Sequence, residues 1–337
     1  MVTSSMIKNP KLIFGFCLGY RVFFSSSKYL GFYRDEQNLA NSLMLVATIK
    51  MILVAYEVFD YRDRDEKNNQ PKSYTFGVLQ LEKEPTQLDI FCYMTCFVGL
   101  FTGPIYKYRT FYDMIMSPYR PISQTLWKHI RSILGATVVF LIGLFLFDMK
   151  YFTSENLLTD TLVARLLHVY PVGFIYQMRY IVAWLLGEGI CILVGLGMYP
   201  NTTNPQPGKG PTQHPQNLKF GENQEKLTFE HNFKTVENIQ PLTGIVEISF
   251  WKTLHHWNCC VQWWLSQFIY RSNVLPKSMR GARVFLTLCF SALWHGIKPG
   301  YFMCLLPLPF FAALEESCFY LQRKYIRHEK TRSVLCG

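Results

Sequence analysis

Two side chains in this sequence have the chemistry and the spacing of a base and its partner. Asn258 lies in WNCCVQWWL (257–265), and His295 ends the apolar part of FSALWHGIKPGY (290–301). A neutral imidazole is the side chain best suited to accept a proton near pH 7. A primary amide can hold an acceptor or donate to an oxygen on which negative charge develops. Residues 257–270 and 284–297 read as two helices joined by a basic loop, 271–283, with Pro299-Gly300 stopping the second just past His295. On the first helix Asn258 and Gln262, four apart, share a face. Asn258 lies about 12 residues, or ~18 Å, before the loop, and His295 about 11 residues, or ~17 Å, after it. An antiparallel pair therefore sets both at one depth. A lone histidine at a helix end is ordinarily structural, but an ionisable group at membrane depth is functional by default. His255 and His256 lie about one turn away, and His129 and His168 lack a polar partner at matching depth; these four read as interfacial or structural.

The elements that must position the pair are those of a membrane protein. Half of the 337 residues are hydrophobic, 16% are aromatic and only 17% are charged, against roughly 25% charged in soluble domains. Residues 132–147 carry no charge and have aromatic flanks, although ~24 Å of helix is short of a ~30 Å hydrocarbon core unless the flanks add to it. Further spans are expected over 12–24, 39–59, 90–106, 181–199, 257–270, 284–297 and 301–321. Several hold charges: Arg21, Lys50, Glu57 and Glu188. Each costs ~2.5–3.5 kcal/mol in lipid, so these helices are expected to face one another or a water-filled cavity. The reading is an all-α, polytopic transmembrane helical bundle with a polar interior tunnel, a single domain over 1–337.

The net charge of +11 does not point to nucleic acid. Its lysines and arginines sit in short loops beside apolar runs, among them Lys107, Arg109, Lys128, Arg131, Arg271 and Arg280, as the positive-inside rule predicts for cytoplasmic loops. The ten cysteines show no ligand or disulfide spacing and read as small hydrophobes, so no metal is expected. No cleavable signal peptide is expected either, because Arg21 interrupts 12–24. Residues 201–243 are polar and rich in Pro, Gly, Asn and Gln; they read as an aqueous loop whose second half, 227–240, holds a short amphipathic helix. The Asn201 sequon in this loop is expected to go unused if the loop is cytosolic.

With WNCCVQWWL and SALWHGIKPGY in this order and spacing, the sequence resembles the membrane-bound O-acyltransferase family. Two further blocks, FVGLFTGPIYKYRTFYD (97–113) and VYPVGFIYQMRYIVAWLLGEGICILVGLGMYP (169–200), resemble its lysophospholipid branch. The likeness runs from about residue 12 to 320, and the chain is expected to lack segments that family members carry at both ends. The resemblance implies transfer of a fatty acyl group from acyl-CoA to the sn-2 hydroxyl of a lysophospholipid, with lysophosphatidylinositol and arachidonoyl chains favoured in this branch. It implies His295 as general base, Asn258 as holder of the acceptor or oxyanion, and substrate contacts from Gln262, Trp263, Trp294, Tyr108 and Arg109. It implies no cofactor beyond the acyl-CoA co-substrate, the bilayer and lysophospholipid as partners, no nucleic acid, and residence in the endoplasmic reticulum or another endomembrane. A different reading is a non-catalytic or transporter-like bundle in which Arg21, Lys50, Glu57 and Glu188 converge near the midplane.

Overall fold

The computed structural model describes residues 9–27, 38–66, 78–117, 123–213, 231–240, 249–272 and 274–335. Helices dominate. Their ends follow local sequence signals: Asn9 caps α1 (Pro10–Ser26), with proline at the first turn, and Thr86 with Asp89 forms a capping box on α3 (Gln87–Thr95). Next come α2 (Asn38–Glu66), α4 (Tyr108–Met116), α5 (Ser123–Leu146), α6 (Asn156–Thr159) and α7 (Leu162–Val194). Thr161 caps the start of α7, and Gly195 closes it in the left-handed conformation. The second half holds α8 (Phe250–His255), α9 (Cys259–Leu265), a π-helical turn Ser266–Tyr270, α10 (Arg280–His295), α11 (Pro299–Leu305) and α12 (Leu308–Leu335).

Among the described residues, four stretches are long and apolar enough to cross a membrane: Ala40–Asp63, Thr125–Leu146, Leu162–Val194 and Pro299–Tyr325. The N-terminal flank of 132–147 does extend that helix to crossing length, and the helix ends at Leu146. The most apolar window of α2 is 56% buried and that of α5 only 11%, so α2 is central while α5 shows Val138, Ile142 and Phe145 outward, where lipid would meet them. One side of α2 gives Ile49, Ile52 and Leu53 to a core shared with Ile13 and Cys17 of α1, Cys260 and Trp264 of α9, and Trp294 of α10. Val54 and Val58 join a second core with Tyr93, Tyr106, Tyr108 and Phe111. A third joins α5 to α7 through Ala136, Met178, Ile181 and Trp184.

Three expectations are corrected. Residues 90–106 do not form a span: α3 ends at Thr95, and the chain turns through Gly103 (φ 87°) to reach α4. A Cβ on Gly187 of α7 would stand 2.4 Å from the Gly103 carbonyl oxygen, so helix and turn touch backbone to backbone. The segment 257–270 is helical only from Cys259, after a break at Asn258, and its last five residues wind as a π-helix. The described parts of 201–243 are not uniformly exposed: Thr203, Thr235, Asn238 and Ile239 are buried, while Asn201, Thr202, Asn204 and Gln206 are exposed. There β1 (Tyr199–Pro200) pairs antiparallel with β2 (His231–Asn232). Residues 231–240 hold β2 and a 3-10 turn in place of the expected amphipathic helix, whose first residues, 227–230, lie outside the described ones. The Thr203 hydroxyl of the sequon is buried and donates to the Pro200 carbonyl (2.8 Å).

The helices carrying Arg21, Lys50, Glu57 and Glu188 bury these charges inside the bundle, where they bond chiefly to backbone. Lys50 Nζ donates to the carbonyls of Tyr93 (3.3 Å) and Cys96 (3.2 Å) and to the Tyr106 hydroxyl (3.1 Å). Glu57 accepts from the first amides of α4, Tyr108 N at Oε2 (2.7 Å) and Arg109 N at Oε1 (3.3 Å). Helices that begin inside a bundle expose N–H groups that water cannot reach, and a carboxylate from a neighbour supplies two acceptors. Lys107 and Arg109 are themselves buried, which removes them from the set of loop charges that could orient the chain. Because Glu57 uses one oxygen per amide, Glu57→Gln turns one acceptor into a donor. It is expected to lower stability by about 1–3 kcal/mol, read as a lower thermal unfolding midpoint in detergent; an unchanged midpoint would contradict this capping role.

Candidate active site

The Asn258 turn is assembled from three directions. Asn258 takes the left-handed conformation (φ 52°, ψ 48°) at the head of α9 and does not cap that helix with its own side chain. Asparagine tolerates this region better than most residues. The Asn258 carbonyl accepts from Gln262 N (3.0 Å), the first backbone bond of α9, so the two residues stand one turn apart. The Gln262 side-chain amide donates to the carbonyls of Leu254 and Trp257, tying α9 back to the end of α8. Residues 238–240 run alongside: Ile239 bridges Trp257, Gln240 N donates to the His256 carbonyl (3.2 Å), and Cys259 N donates to the Asn238 carbonyl (2.9 Å). Trp257 packs edge-on against Trp184 of α7, centroids 4.8 Å apart.

His295 ends α10, and Gly296 follows as its C-cap. Pro299 opens α11 as well as barring continuation of α10. The imidazole is exposed and stacks on Tyr301, with centroids 5.5 Å apart and planes at 30°. Its backbone carbonyl is held by Arg21 Nη2 (2.9 Å), while Arg21 Nη1 reaches Asn41 Oδ1 (3.3 Å) and the Ser25 hydroxyl. The sequence signalled Arg21 only as a charge in an apolar run. The structure makes it the link from α1 to the carbonyl end of α10, where a cation also meets the negative pole of the helix. Lysine offers one nitrogen and cannot cover both directions. Arg21→Lys is expected to cost about 1–3 kcal/mol, measured as a lower thermal midpoint; equal midpoints would show that the fork is dispensable.

Trp264, fully buried, fixes the pairing of the two arms: its ring lies 5.1 Å from that of Trp294 and 5.9 Å from that of Phe290. Carried one residue on along antiparallel helices, the Trp264–Trp294 pairing sets His295 about level with Trp263, ~7.5 Å of helix rise from Asn258. The indole N–H groups of Trp264 and Trp294 are buried without a protein acceptor. Trp263 packs against the same core and is covered by the turn at Gly208, where a Cβ would approach its ring to 2.7 Å. Gln262, Trp263 and Trp294 are thus gathered around the hairpin. Tyr108 and Arg109 are not. Tyr108 belongs to the second core, and Arg109 is engaged by Asp113 (2.8 Å), Glu82 (2.8 Å) and the Gln80 carbonyl (2.6 Å).

A cavity of about 450 Å³ lies on the other side of residues 237–240, lined by Lys128, His129, Glu188, Lys234 and Glu237 among others. Burial pushes the Glu237 carboxyl up from its ordinary range. Neither Asn258 nor His295 lines this cavity; Glu188 and Ile239 connect it to the Asn258 turn.

Comparison with known proteins covers most of the chain. The sequence profile of the membrane-bound O-acyltransferase family matches residues 14–336. A membrane-bound acylglycerophosphatidylinositol O-acyltransferase of Xenopus laevis is 31% identical over 308 residues, 90% of this chain and 64% of that protein. Proteins of the same name from Drosophila melanogaster (29%, 94% of this chain and 66% of the relative) and Homo sapiens (30%, 90% and 64%) are similar to the same extent. The chain spans about 64% of the length of the first of these relatives.

Proposed function

Since the chain belongs to the membrane-bound O-acyltransferase family and is a multi-pass membrane protein by its apolar helices, we propose that it moves a fatty acyl group from acyl-CoA to the sn-2 hydroxyl of a lysophospholipid. Lysophosphatidylinositol is the acceptor that the names of its relatives favour, and the arachidonoyl chain is taken from the motif resemblance alone. In this reading a ring nitrogen of His295 takes the hydroxyl proton as the oxygen attacks the thioester carbonyl. The Asn258 amide donates to the resulting oxyanion. Collapse breaks the C–S bond, and the leaving thiolate takes the proton back from the imidazolium, so the base is regenerated with no metal or further cofactor. Placement in the endoplasmic reticulum or a related endomembrane goes with this reading, since acceptor and product are membrane lipids.

The observation that carries the proposal is the hairpin itself. A left-handed asparagine whose side chain does not cap its own helix heads one arm, an exposed histidine ends the other, and Trp264 packs against Trp294 between the arms. The bonding of the charges weighs against a transporter-like bundle. Arg21, Lys50, Glu57 and Glu188 are each tied to a different stretch of backbone and do not converge.

The test is acyl transfer by the purified chain in lipid nanodiscs. Arachidonoyl-CoA would be offered with lysophospholipids bearing inositol, choline, serine or ethanolamine headgroups, and product read by mass spectrometry. Diacyl phosphatidylinositol should form fastest. Product with every headgroup at equal rate would overturn the acceptor assignment, and no product with any would overturn the activity for this chain.

A further inference from the structure

An asparagine at the head of a helix ordinarily spends its side chain on the first free amides. Asn258 does not, and those amides are taken elsewhere. Cys259 N donates to the Asn238 carbonyl (2.9 Å) and Cys260 N to Asn238 Oδ1 (3.2 Å). Asn238 is in turn fixed by Glu188 of α7, whose Oε1 accepts from Asn238 N (2.7 Å) and Ile239 N (3.0 Å). Glu188 and Asn238 are both buried, and Oε2 of Glu188 lies 3.8 Å from His129 Nε2. We propose that Glu188 and Asn238 are positioning residues for the transfer reaction: they cap α9 from outside, hold Asn258 in its left-handed turn and so leave the Asn258 amide for the reacting oxygen. This rests on the acyl-transfer reading given above.

The geometry separates this role from a general contribution to folding. Both bonds to Glu188 converge on one oxygen, so Glu188→Gln keeps the acceptor while Glu188→Leu removes it. Asn238→Asp likewise keeps Oδ1 and Asn238→Ala does not. A group displaced by about an ångström from its reacting position costs on the order of 100-fold. The Leu and Ala variants are therefore expected to lose roughly 10- to 100-fold in kcat with KM for both substrates within about threefold, while the Gln and Asp variants stay within about threefold of the parent.

The decisive measurement places Glu188→Leu and Asn238→Ala on an Asn258→Gly background, alongside hydrogen exchange at the Cys259 and Cys260 amides. A relay acting only through Asn258 has no further effect on turnover once the amide is gone, and its loss speeds exchange at those two positions. The same kcat loss on the Asn258→Gly background, a rise in KM in place of a fall in kcat, or unchanged exchange would each overturn it. If Glu188→Leu does not fold, Asn238→Ala carries the comparison. Exchange reads the relay even without turnover, and full activity in His295→Ala would sink the acyl-transfer mechanism without touching the exchange result.

Discussion

Replacing His295 with alanine is expected to lower acyl transfer by ~10²–10⁴, the usual worth of a positioned general base, while the protein still inserts, folds and binds acyl-CoA. The structure explains why the two effects separate. What His295 contributes to the bundle is its carbonyl, held by Arg21, and alanine keeps that carbonyl. Its ring is exposed and touches Tyr301 in a stacked contact at 5.5 Å, so deleting it opens no sealed core. The comparison is made by turnover in nanodiscs beside a thermal unfolding midpoint and a coenzyme A binding isotherm. Near-normal turnover in a well-folded His295→Ala protein would make the histidine structural and end the proposed mechanism.

Removal of the Asn258 amide is expected to cost ~10²–10³ in kcat, the value of one donor to a developing oxyanion. Alanine is the wrong replacement, because its Cβ is strained at φ 52° and a turnover loss would mix chemistry with a deformed turn. Glycine adopts this conformation freely, so Asn258→Gly deletes the amide and keeps the backbone. If both residues act on one transition state, His295→Ala combined with Asn258→Gly should lose less than the product of the single losses. A fully multiplicative result would mean that they act independently. Turnover of Asn258→Gly close to that of the parent would remove the amide from the mechanism.

Much of the bundle could be read from the chain because apolar run length is a strong signal. Residues 39–59 and 301–321 lie inside helical stretches that satisfy it, and Pro299 marked the end of the α10 segment. The signal failed where an apolar run was broken by backbone geometry. Residues 90–106 are oily throughout, yet the turn at Gly103 folds them back, and hydrophobicity carries no record of a positive φ. The site was legible in its residue types and approximate depth but not in its wiring. Nothing in the composition of 201–243 shows that Asn238 and Ile239 are core residues, because their burial comes from partners far along the chain. Glu188 and Asn238 are 50 residues apart. Tyr108 and Arg109 lie within a block resembling the family, and the structure places them in a helix start that Glu57 caps, away from the hairpin. A motif that marks a family can report scaffold as readily as a substrate contact.

The bonding of α2 sets a timetable for biogenesis. The partners of Lys50 lie 43, 46 and 56 residues farther along the chain, and those of Glu57 lie 51 and 52 farther. When α2 leaves the ribosome none of them has emerged with it, and its two charges together oppose entry into lipid by ~5–7 kcal/mol. At ~5–20 residues per second, their arrival takes roughly 3–10 s. During that interval the helix at the centre of the bundle is better accommodated at the insertion machinery or the lipid–water boundary than in hydrocarbon. Photocrosslinks from α2 to the translocon should therefore persist in nascent chains arrested before residue 93 is built into the membrane and fade in chains extended past 109. Release of α2 at the shorter length would show that lipid accepts it unpaired. Persistent crosslinks would couple membrane entry of this protein to its own tertiary assembly, with the central helix waiting for the segment that hydrogen-bonds its charges.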